Sequence, residues 1–256
     1  MSHIHIKLEH VSFGYEKSNP VLKDVTFTAN EHDSIGLIGA NGVGKSTLLK
    51  LLVGLNLNYE GTISVEEMKI EKNVLPKIRE RIGYVFQDSD SQLFMSTVYE
   101  DVAFGPRNYG LSEEEVKKKV DAALSMIHIE HLKDKQIYKM SGGEKKMASI
   151  ATILAMSPDI ILMDEPSIAL DPRNRRNLIH ILNGFDHLKI IASHDLDMVL
   201  DTCNRVILMA HGEVIRDGDP MEILSDQKLL EENGLELPLC MQKLSGTAAK
   251  GENVYF

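Results

Sequence analysis

The sequence predicts an α/β fold in which helices pack on a mostly parallel β-sheet. One reason is the alternation of strand-like and helix-like segments through the second half of the 256 residues. Another is a buried strand, Ser34–Ile38, that leads into a glycine-rich turn and then a helix. Apolar residues make up 43% of the chain and charged residues 26%, enough to bury the core of one large domain or two modest ones.

The first half is expected to be rich in strands. Polar and apolar residues alternate at 3–8, which indicates a half-buried strand. Further strands are predicted at 21–29, 34–38, 61–65 and 82–86, with a helix at 46–53. The polar stretch between 66 and 81 is expected to be irregular.

The second half is expected to alternate helices and strands. Helices are predicted at 97–104, 112–126, 142–156 and 172–182, and buried strands at 160–163, 190–192 and 205–209. Ser112 and Glu115 have the spacing of a capping box, and residues 211–213 indicate a hairpin turn. The helical insert between about 87 and 140 interrupts the alternation and is interpreted as a subdomain.

Charge and cysteine content exclude several classes of protein. Lys and Arg total 28 against 38 Asp and Glu, a net charge of -10, which disfavours binding to nucleic acid. Two isolated cysteines, Cys203 and Cys240, do not form a disulfide framework or a cysteine zinc site. No apolar run is long enough to span a membrane, so a membrane role is expected to need partner chains.

A phosphate-binding loop follows the strand at 34–38. Residues 39–47, Gly-Ala-Asn-Gly-Val-Gly-Lys-Ser-Thr, match GxxxxGK[ST] between a strand and a helix. Lys45 is expected to reach the β- and γ-phosphates and Ser46 to bind Mg²⁺. The predicted nucleotide-binding residues of this loop are Gly39, Asn41, Gly42, Gly44, Lys45, Ser46 and Thr47.

An acidic pair ends the predicted strand at 160–163. Asp164 and Glu165 follow four apolar residues, and a parallel sheet places its ligand at the carboxyl ends of its strands. Asp164 is expected to hold Mg²⁺ through a water molecule, and Glu165 to act as general base toward the attacking water. Alone, such a pair is more often a solvated strand end, but the phosphate-binding loop favours the functional interpretation.

Met140-Ser141-Gly142-Gly143-Glu144-Lys145 resembles the LSGGQ signature of ATP-binding-cassette ATPases. Tyr15 resembles the family's adenine-stacking aromatic and Gln87 the glutamine that joins the Mg²⁺ site to the helical subdomain. Residues 167–171 resemble the family's D-loop, and His194 the switch histidine. The resemblance covers about residues 3–225, and the chain is identified as a member of this family.

The resemblance implies a P-loop NTPase with a RecA-like parallel core, an N-terminal antiparallel β subdomain and a helical signature subdomain at about 88–158, within an ATPase domain of 1–244. It implies ATP and Mg²⁺ as cofactors and a dimer that encloses two nucleotides. The expected catalytic residues are Lys45, Gln87, Glu165 and His194. Mg²⁺ is expected at Ser46, Gln87 and Asp164. ATP is expected to contact Tyr15 and, from the other subunit, Ser141, Gly142 and Gly143.

Four interpretations from the residues stay open. Tyr15 could be a surface aromatic, and the effect of Glu144, which stands where the family has Gln, is undecided. His3 and His5 share a strand face and could bind a metal ion, but an exposed strand face is the preferred interpretation. Residues 245–256 resemble a tag or linker remnant, and a native tail is the alternative.

The segment 87–110 resembles the energy-coupling-factor importers, and most closely their cobalt/nickel ATPase subunits. This resemblance implies uptake of cobalt or nickel, with vitamin uptake or another ABC transporter as alternatives. It also implies a peripheral location at the cytoplasmic face of the membrane. Leu93, Phe94 and Met95 are expected to be exposed, and an integral membrane subunit to dock near Gln92–Phe104, although core packing of these side chains is an alternative. The chain is expected to form a homodimer, or a heterodimer with a related ATPase.

Overall fold

The computed structural model describes residues 4–16 and 18–242. The strands are β1 (Ile4–Phe13), β2 (Leu22–Asn30), β3 (Ser34–Ile38), β4 (Glu60–Val65), β5 (Met68–Lys69), β6 (Ile82–Val85), β7 (Ile160–Asp164), β8 (Leu188–Ala192), β9 (Arg205–Ala210) and β10 (Glu213–Gly218). The helices are α1 (Lys45–Leu52), α2 (Leu75–Arg81), α3 (Val98–Asn108), α4 (Glu113–Met126), α5 (Gly142–Leu154), α6 (Pro172–Asn183), α7 (Leu196–Thr202), α8 (Pro220–Leu224) and α9 (Gln227–Glu232).

A six-stranded sheet in the order β10-β9-β3-β8-β7-β6 forms the centre of the fold. The pairs from β9 to β6 are parallel, and β10 adds to the edge as an antiparallel hairpin with β9. Every residue of β3, β7 and β8 is buried, as expected for parallel strands covered on both faces. These findings confirm the predicted α/β fold and the hairpin turn at 211–213.

The two faces of this sheet bury different cores. Along β7, Ile161 and Met163 point to a core shared with the helices after β6, whereas Ile160 and Leu162 point to a core shared with α1. The second core also contains the apolar face of a four-stranded antiparallel sheet in the order β2-β1-β4-β5. The N-terminal antiparallel β-sheet implied by the resemblance is therefore present.

Helices α3, α4 and α5 lie between β6 and β7 in the chain and contact one another. The side-chain hydroxyl of Ser112 accepts a hydrogen bond from the backbone N–H of Glu115, and the Glu115 carboxylate accepts one from the backbone N–H of Ser112. This capping box begins α4 where the sequence predicts it. The subdomain limits 88–158 and the domain limits 1–244 stay predictions, and residues 245–256 lie outside the described residues.

The structure adds several short elements to those predicted. Helix α2 occupies part of the stretch expected to be irregular, and its proline in the first turn fits a helix start. Helices α7, α8 and α9 span only five to seven residues each, too short for a clear helical periodicity. Asp195, Asp219 and Asp226 cap them.

The expected exposed face of β1 is wrong at His5. His3 lies outside the described residues, whereas the His5 side chain is buried and contacts the carboxylate of Glu66. His10 is exposed and its Nδ1 lies 2.7 Å from the carboxylate of Asp24. Among residues 4–16 and 18–242, no group of three or more His, Cys, Asp or Glu side chains is arranged to hold a metal ion.

Candidate active site

The phosphate-binding loop leaves the carboxyl end of β3 and opens α1. Gly39 and Gly44 have φ values of +148° and +111°, which favour glycine. A Cβ atom on Gly39 would also lie 2.3 Å from the carbonyl oxygen of Met209, and one on Gly44 2.6 Å from Leu22. The loop therefore requires glycine at both positions, and it presents the N-terminus of α1 as an anion-binding site.

Lys45, the first residue of α1, is bent back over the loop that precedes it. Its side chain is 6% exposed, and Nζ donates to the carbonyl oxygens of Gly39 at 2.6 Å and Ala40 at 3.1 Å. Burial lowers the pKa of Lys45, and the carboxylates of Glu165 and Asp164 partly oppose this. The ammonium group of Lys45, held by carbonyl oxygens beside the loop, is well placed to bind a phosphate.

Asp164 and Ser46 meet at the edge of the sheet. The Ser46 hydroxyl donates to Asp164 Oδ1 at 2.9 Å, and the phenol of Tyr84 donates to Asp164 Oδ2 at 3.4 Å. Asp164 is 3% exposed. Burial, followed by the Asp164 charge, raises the pKa of Tyr84, so its hydroxyl remains a donor. A carboxylate beside a hydroxyl is an oxygen donor set that fits Mg²⁺.

Glu165 lies directly after this site and contacts His194. Its backbone has a left-handed φ of +47°, and its N–H donates to the carbonyl of Ala192 at 2.8 Å. Oε2 of Glu165 lies 2.7 Å from His194 Nδ1 and accepts the backbone N–H of His194 at 3.2 Å. Glu165 is 6% exposed, whereas 58% of the His194 side chain is exposed. The buried carboxylate is therefore aimed by the strand ends of β7 and β8.

Two adjoining cavities bring these residues together. One, of about 350 Å³, is lined by Asn41, Gly42, Gly44, Lys45, Ser46, Thr47, Gln87 and Glu165. The other, of about 280 Å³, is lined by Gly39, Ala40, Asn41, Gln87, Glu165, Ile168, His194, Gly234 and Leu235. The cavities thus gather the predicted phosphate loop, Gln87, Glu165 and His194 into one site.

The predicted signature residues begin α5 and do not line either cavity within the described chain. The hydroxyl of Ser141 accepts from the backbone N–H of Glu144, and the Glu144 carboxylate accepts from the backbone N–H of Ser141. A Cβ on Gly143 would lie 2.9 Å from the carbonyl oxygen of Ala169, whose φ is +68°. The glycine therefore permits the close approach of the α5 start to the loop after β7.

Glu144 is turned toward Lys135. Lys135 Nζ lies 2.8 and 2.9 Å from its two carboxylate oxygens. The hydrogen bond from Lys135, then that from the Ser141 backbone, lowers the pKa of Glu144. The carboxylate is thus ionised and paired within its own chain.

Tyr15 stands beside the loop with 61% of its surface exposed. Its hydroxyl lies 3.4 Å from the Thr47 hydroxyl, and its ring packs edge-on against Phe13 at 5.0 Å between centroids. The aromatic face is therefore held near the start of α1 and left open, as a base-stacking residue requires.

The expected exposure of Leu93 is wrong. Leu93 is 6% exposed and belongs to the core around α3, α4 and α5. Phe94 is 64% exposed, and its ring packs edge-on against Phe104 at 4.8 Å between centroids. Met95 is partly exposed. Within residues 92–104, the most exposed large apolar side chains are therefore the paired rings of Phe94 and Phe104.

Two buried charged residues near this segment, Asp101 and Lys146, were not indicated by the sequence. Asp101 is 4% exposed and accepts the backbone N–H groups of Phe94 at 3.1 Å and Met95 at 3.2 Å. Burial raises the pKa of Asp101, and these hydrogen bonds partly oppose the increase. Lys146 is 2% exposed on α5. Asp101 lies four residues after Thr97, the N-cap of α3, but nothing in the sequence distinguishes Asp101 or Lys146 from charged residues that face solvent.

Comparison with known proteins identifies the family. The family model described as ABC transporter matches residues 22–168, more than half of the chain. An ABC transporter ATP-binding protein of Geobacter sulfurreducens is 43% identical over 94% of this chain and 97% of its own length. The energy-coupling factor transporter ATP-binding protein EcfA of Carboxydothermus hydrogenoformans is 38% identical over 93% of this chain and 88% of its own length.

A solved structure agrees with these relatives. CbiO1 from Clostridium perfringens, part of the ABC transporter complex CbiONQ, matches with a TM-score of 0.79 and 36% identity over 90% of this chain and 94% of that one. No helix among residues 4–16 and 18–242 is long and apolar enough to cross a membrane. Together with the phosphate loop and its acidic partners, these matches show that the chain belongs to the ABC transporter family, as an ATP-binding and ATP-hydrolysing subunit of the energy-coupling-factor type.

Proposed function

We propose that the two adjoining cavities form the ATP site and that the chain powers uptake of a transition-metal ion, cobalt or nickel, through a membrane transporter. The main support for this ATP site is that Lys45, Ser46, Gln87 and Glu165 all line one cavity of about 350 Å³. The backbone of the phosphate loop and Lys45 bind the β- and γ-phosphates. Tyr15 stacks on the base beside Thr47.

Three side chains would hold Mg²⁺: the Ser46 hydroxyl, the Asp164 carboxylate and the Gln87 side chain. The hydrogen bond between Ser46 and Asp164 brings two of these oxygen donors within 2.9 Å of each other, which supports a common ligand. When bound, the ion neutralises charge that develops on the phosphates. Tyr84 keeps the second oxygen of Asp164 oriented.

Glu165 accepts a proton from the water that attacks the γ-phosphate. Its carboxylate is buried, and its contact with His194 fixes one of its oxygens. A base that is held in place before the reaction loses little freedom when the water arrives. His194 remains largely exposed toward the cavity, where it contacts the γ-phosphate and helps to position the water.

The site is completed by a second copy of the chain or by a related ATPase. Ser141, Gly142 and Gly143 lie at a capped helix start, which favours an anion, yet they line neither cavity of their own chain. In the proposed dimer this helix start faces the γ-phosphate bound to the other subunit. Two chains thus enclose two nucleotides, and hydrolysis separates them.

The Phe94–Phe104 pair is the proposed docking site for an integral membrane subunit. Leu93 anchors the segment in the core and Asp101 fixes its backbone, so the two exposed rings are presented from a rigid support. Exposed aromatic rings are typical anchors of protein interfaces. Docking there places the chain at the cytoplasmic face of the membrane as a peripheral subunit.

The metal substrate is proposed from the resemblance of segment 87–110 and from similarity to CbiO1, a part of the CbiONQ complex. An importer for vitamins is the alternative, since relatives at similar identity are named only as energy-coupling factor ATPases. Uptake of radioactive cobalt, nickel and a vitamin panel by cells that lack and then regain this gene separates the two.

Glu165→Gln tests the proposed chemistry. We expect ATP turnover to fall by about 10²–10⁴-fold, because the general base is lost, while ATP binding is retained. With Mg-ATP the variant should elute from gel filtration as a dimer, because unhydrolysed ATP holds the two chains together. Full turnover in this variant would exclude Glu165 as the base, and a monomer at saturating Mg-ATP and high protein concentration would contradict the enclosed dimer.

A further inference from the structure

Lys146 is a buried cation that contacts the backbone of the loop carrying Gln87. Its side chain is 2% exposed and lies on α5, five residues after Ser141. Nζ donates to the carbonyl oxygen of Phe86 at 2.9 Å and to that of Gln87 at 2.7 Å. Burying a lysine is costly unless its donors are satisfied, so these two hydrogen bonds are specific features of the site.

The electrostatic surroundings of Lys146 join the helix to the nucleotide site. Burial lowers the pKa of Lys146, and the carboxylates of Asp164, Asp88 and Glu165 oppose this. Two of these carboxylates belong to the proposed catalytic machinery. The charge of Lys146, a residue of the signature helix, is therefore sensed by the acidic residues at the end of β7.

Gln92 makes the complementary contacts from the loop to the same helix. Its Oε1 accepts the backbone N–H of Phe86 at 3.0 Å, and its Nε2 donates to the carbonyl of Ser149 at 2.7 Å and to the hydroxyl of Thr152 at 2.9 Å. The backbone carbonyl of Phe86 is thus hydrogen-bonded to Lys146 of α5, and its backbone N–H to Gln92, whose side chain is itself hydrogen-bonded to α5. The neighbouring pair Lys145 and Asp90, at 2.5 Å, adds an ion pair across the same boundary.

We propose that Lys146 is a positioning residue that, together with Gln92, fixes Gln87 to the signature helix, so that Gln87 and Ser141 change position together. The inference rests on the proposed ATP site, where Gln87 lines both cavities with Glu165. Because the backbone at 86 and 87 is bonded to α5, a shift of Gln87 toward bound nucleotide displaces the start of α5. Lys146 thereby links events at the Mg²⁺ site to the surface that meets the second subunit.

Lys146→Met is the principal variant, because methionine retains an unbranched side chain without a donor. Lys146→Gln keeps an N–H donor on a slightly shorter side chain and should recover part of the function. Lys118→Met is the matched control, since Lys118 is an exposed helical lysine that pairs with Glu114 on α4. All variants are made in the full chain.

Steady-state kinetics give the first readout. We expect Lys146→Met to lower kcat by about 10–100-fold, the effect of misplacing a group near the reacting atoms. KM for ATP should change by less than about threefold, because Lys45 and the phosphate loop are untouched. Lys146→Gln should lie between Lys146→Met and the wild type, and Lys118→Met should match the wild type.

Hydrogen exchange with the non-hydrolysable analogue AMP-PNP and Mg²⁺ gives a readout that does not depend on turnover. In the wild type we expect the analogue to slow exchange both at 39–47 and at 140–146. In Lys146→Met the response at 39–47 should persist and that at 140–146 should be lost. If Lys146→Met does not fold, Gln92→Met is used for the same comparison, because it removes the hydrogen bonds of the loop side.

Three results would overturn the inference. The first two are a wild-type kcat in Lys146→Met and an exchange response at 140–146 that persists in this variant. The third is that circular dichroism shows both Lys146→Met and Gln92→Met to be unfolded, because the contacts would then be purely structural. A wild-type chain that neither binds nor hydrolyses ATP would instead refute the proposed site. The two failures are therefore distinguishable.

Discussion

Leu93 and Phe94 are adjacent apolar residues with opposite expected roles, and truncating each to alanine separates them. Leu93 is 6% exposed, so Leu93→Ala removes nearly a whole buried side chain and leaves a cavity. Such changes cost about 2–5 kcal/mol of the free energy of unfolding. Phe94 is 64% exposed, and burial of the remaining third of its side chain stabilises the fold by only about 0.5–1 kcal/mol.

The effect on transport should be larger for Phe94→Ala, although its effect on the free energy of unfolding is smaller. Phe94→Ala should leave basal ATPase activity of the isolated chain unchanged, because the pair with Phe104 lies outside the nucleotide cavities. If Phe94 is an interface anchor, its truncation should weaken docking by at least about 2 kcal/mol, or about 30-fold in affinity. Uptake by the complete transporter should then fail.

Urea unfolding, ATPase assays and co-purification of the membrane subunit from detergent-solubilised membranes measure the three quantities. Met221→Ala is the matched control, since Met221 is also an exposed apolar side chain, 57% exposed on α8. Equal destabilisation by Leu93→Ala and Phe94→Ala would refute the assignment of burial. Normal co-purification and uptake with Phe94→Ala would refute the docking surface.

Two further variants test the nucleotide site and the dimer. Lys45→Ala should abolish tight ATP binding, because the buried ammonium group beside Glu165 and Asp164 is the main cationic partner of the phosphates. Normal ATP affinity of this variant in a nucleotide titration would exclude this role. Ser141→Arg places a long side chain at the capped start of α5 and should prevent dimerisation with Mg-ATP. A dimer of unchanged stability in gel filtration would show that this helix start does not face the second subunit.

Local sequence signals were sufficient for the phosphate loop and for the capped start of α4. The loop depends on glycines at positions 39 and 44 whose φ values favour no other residue, and a short-range motif specifies them. The capping box of Ser112 and Glu115 is likewise formed by residues three apart. Such features need no knowledge of the rest of the fold, which is why the sequence predicted them correctly.

Burial of individual side chains depends on partners that are distant in the chain. Leu93 and Phe94 have the same apolar character, but Leu93 faces the core around α3 to α5 and Phe94 faces away. Lys146 likewise follows another lysine and resembles a solvated charge, yet its acceptors lie 60 and 59 residues away along the chain. No local periodicity could have distinguished these neighbours.

The geometry also answers the question that Glu144 raises at the signature. A carboxylate in the first turn of α5 favours the helix dipole, but it opposes an anion that approaches the same helix start. Both oxygens of Glu144 are engaged by Lys135, and one of them also accepts the N–H of Ser141, so its charge is paired before any phosphate arrives. The cap therefore uses the negative charge for its own stability, and the lysine limits its repulsion of ATP. Glutamate can consequently stand where the family usually has glutamine, provided that a cation such as Lys135 is within reach.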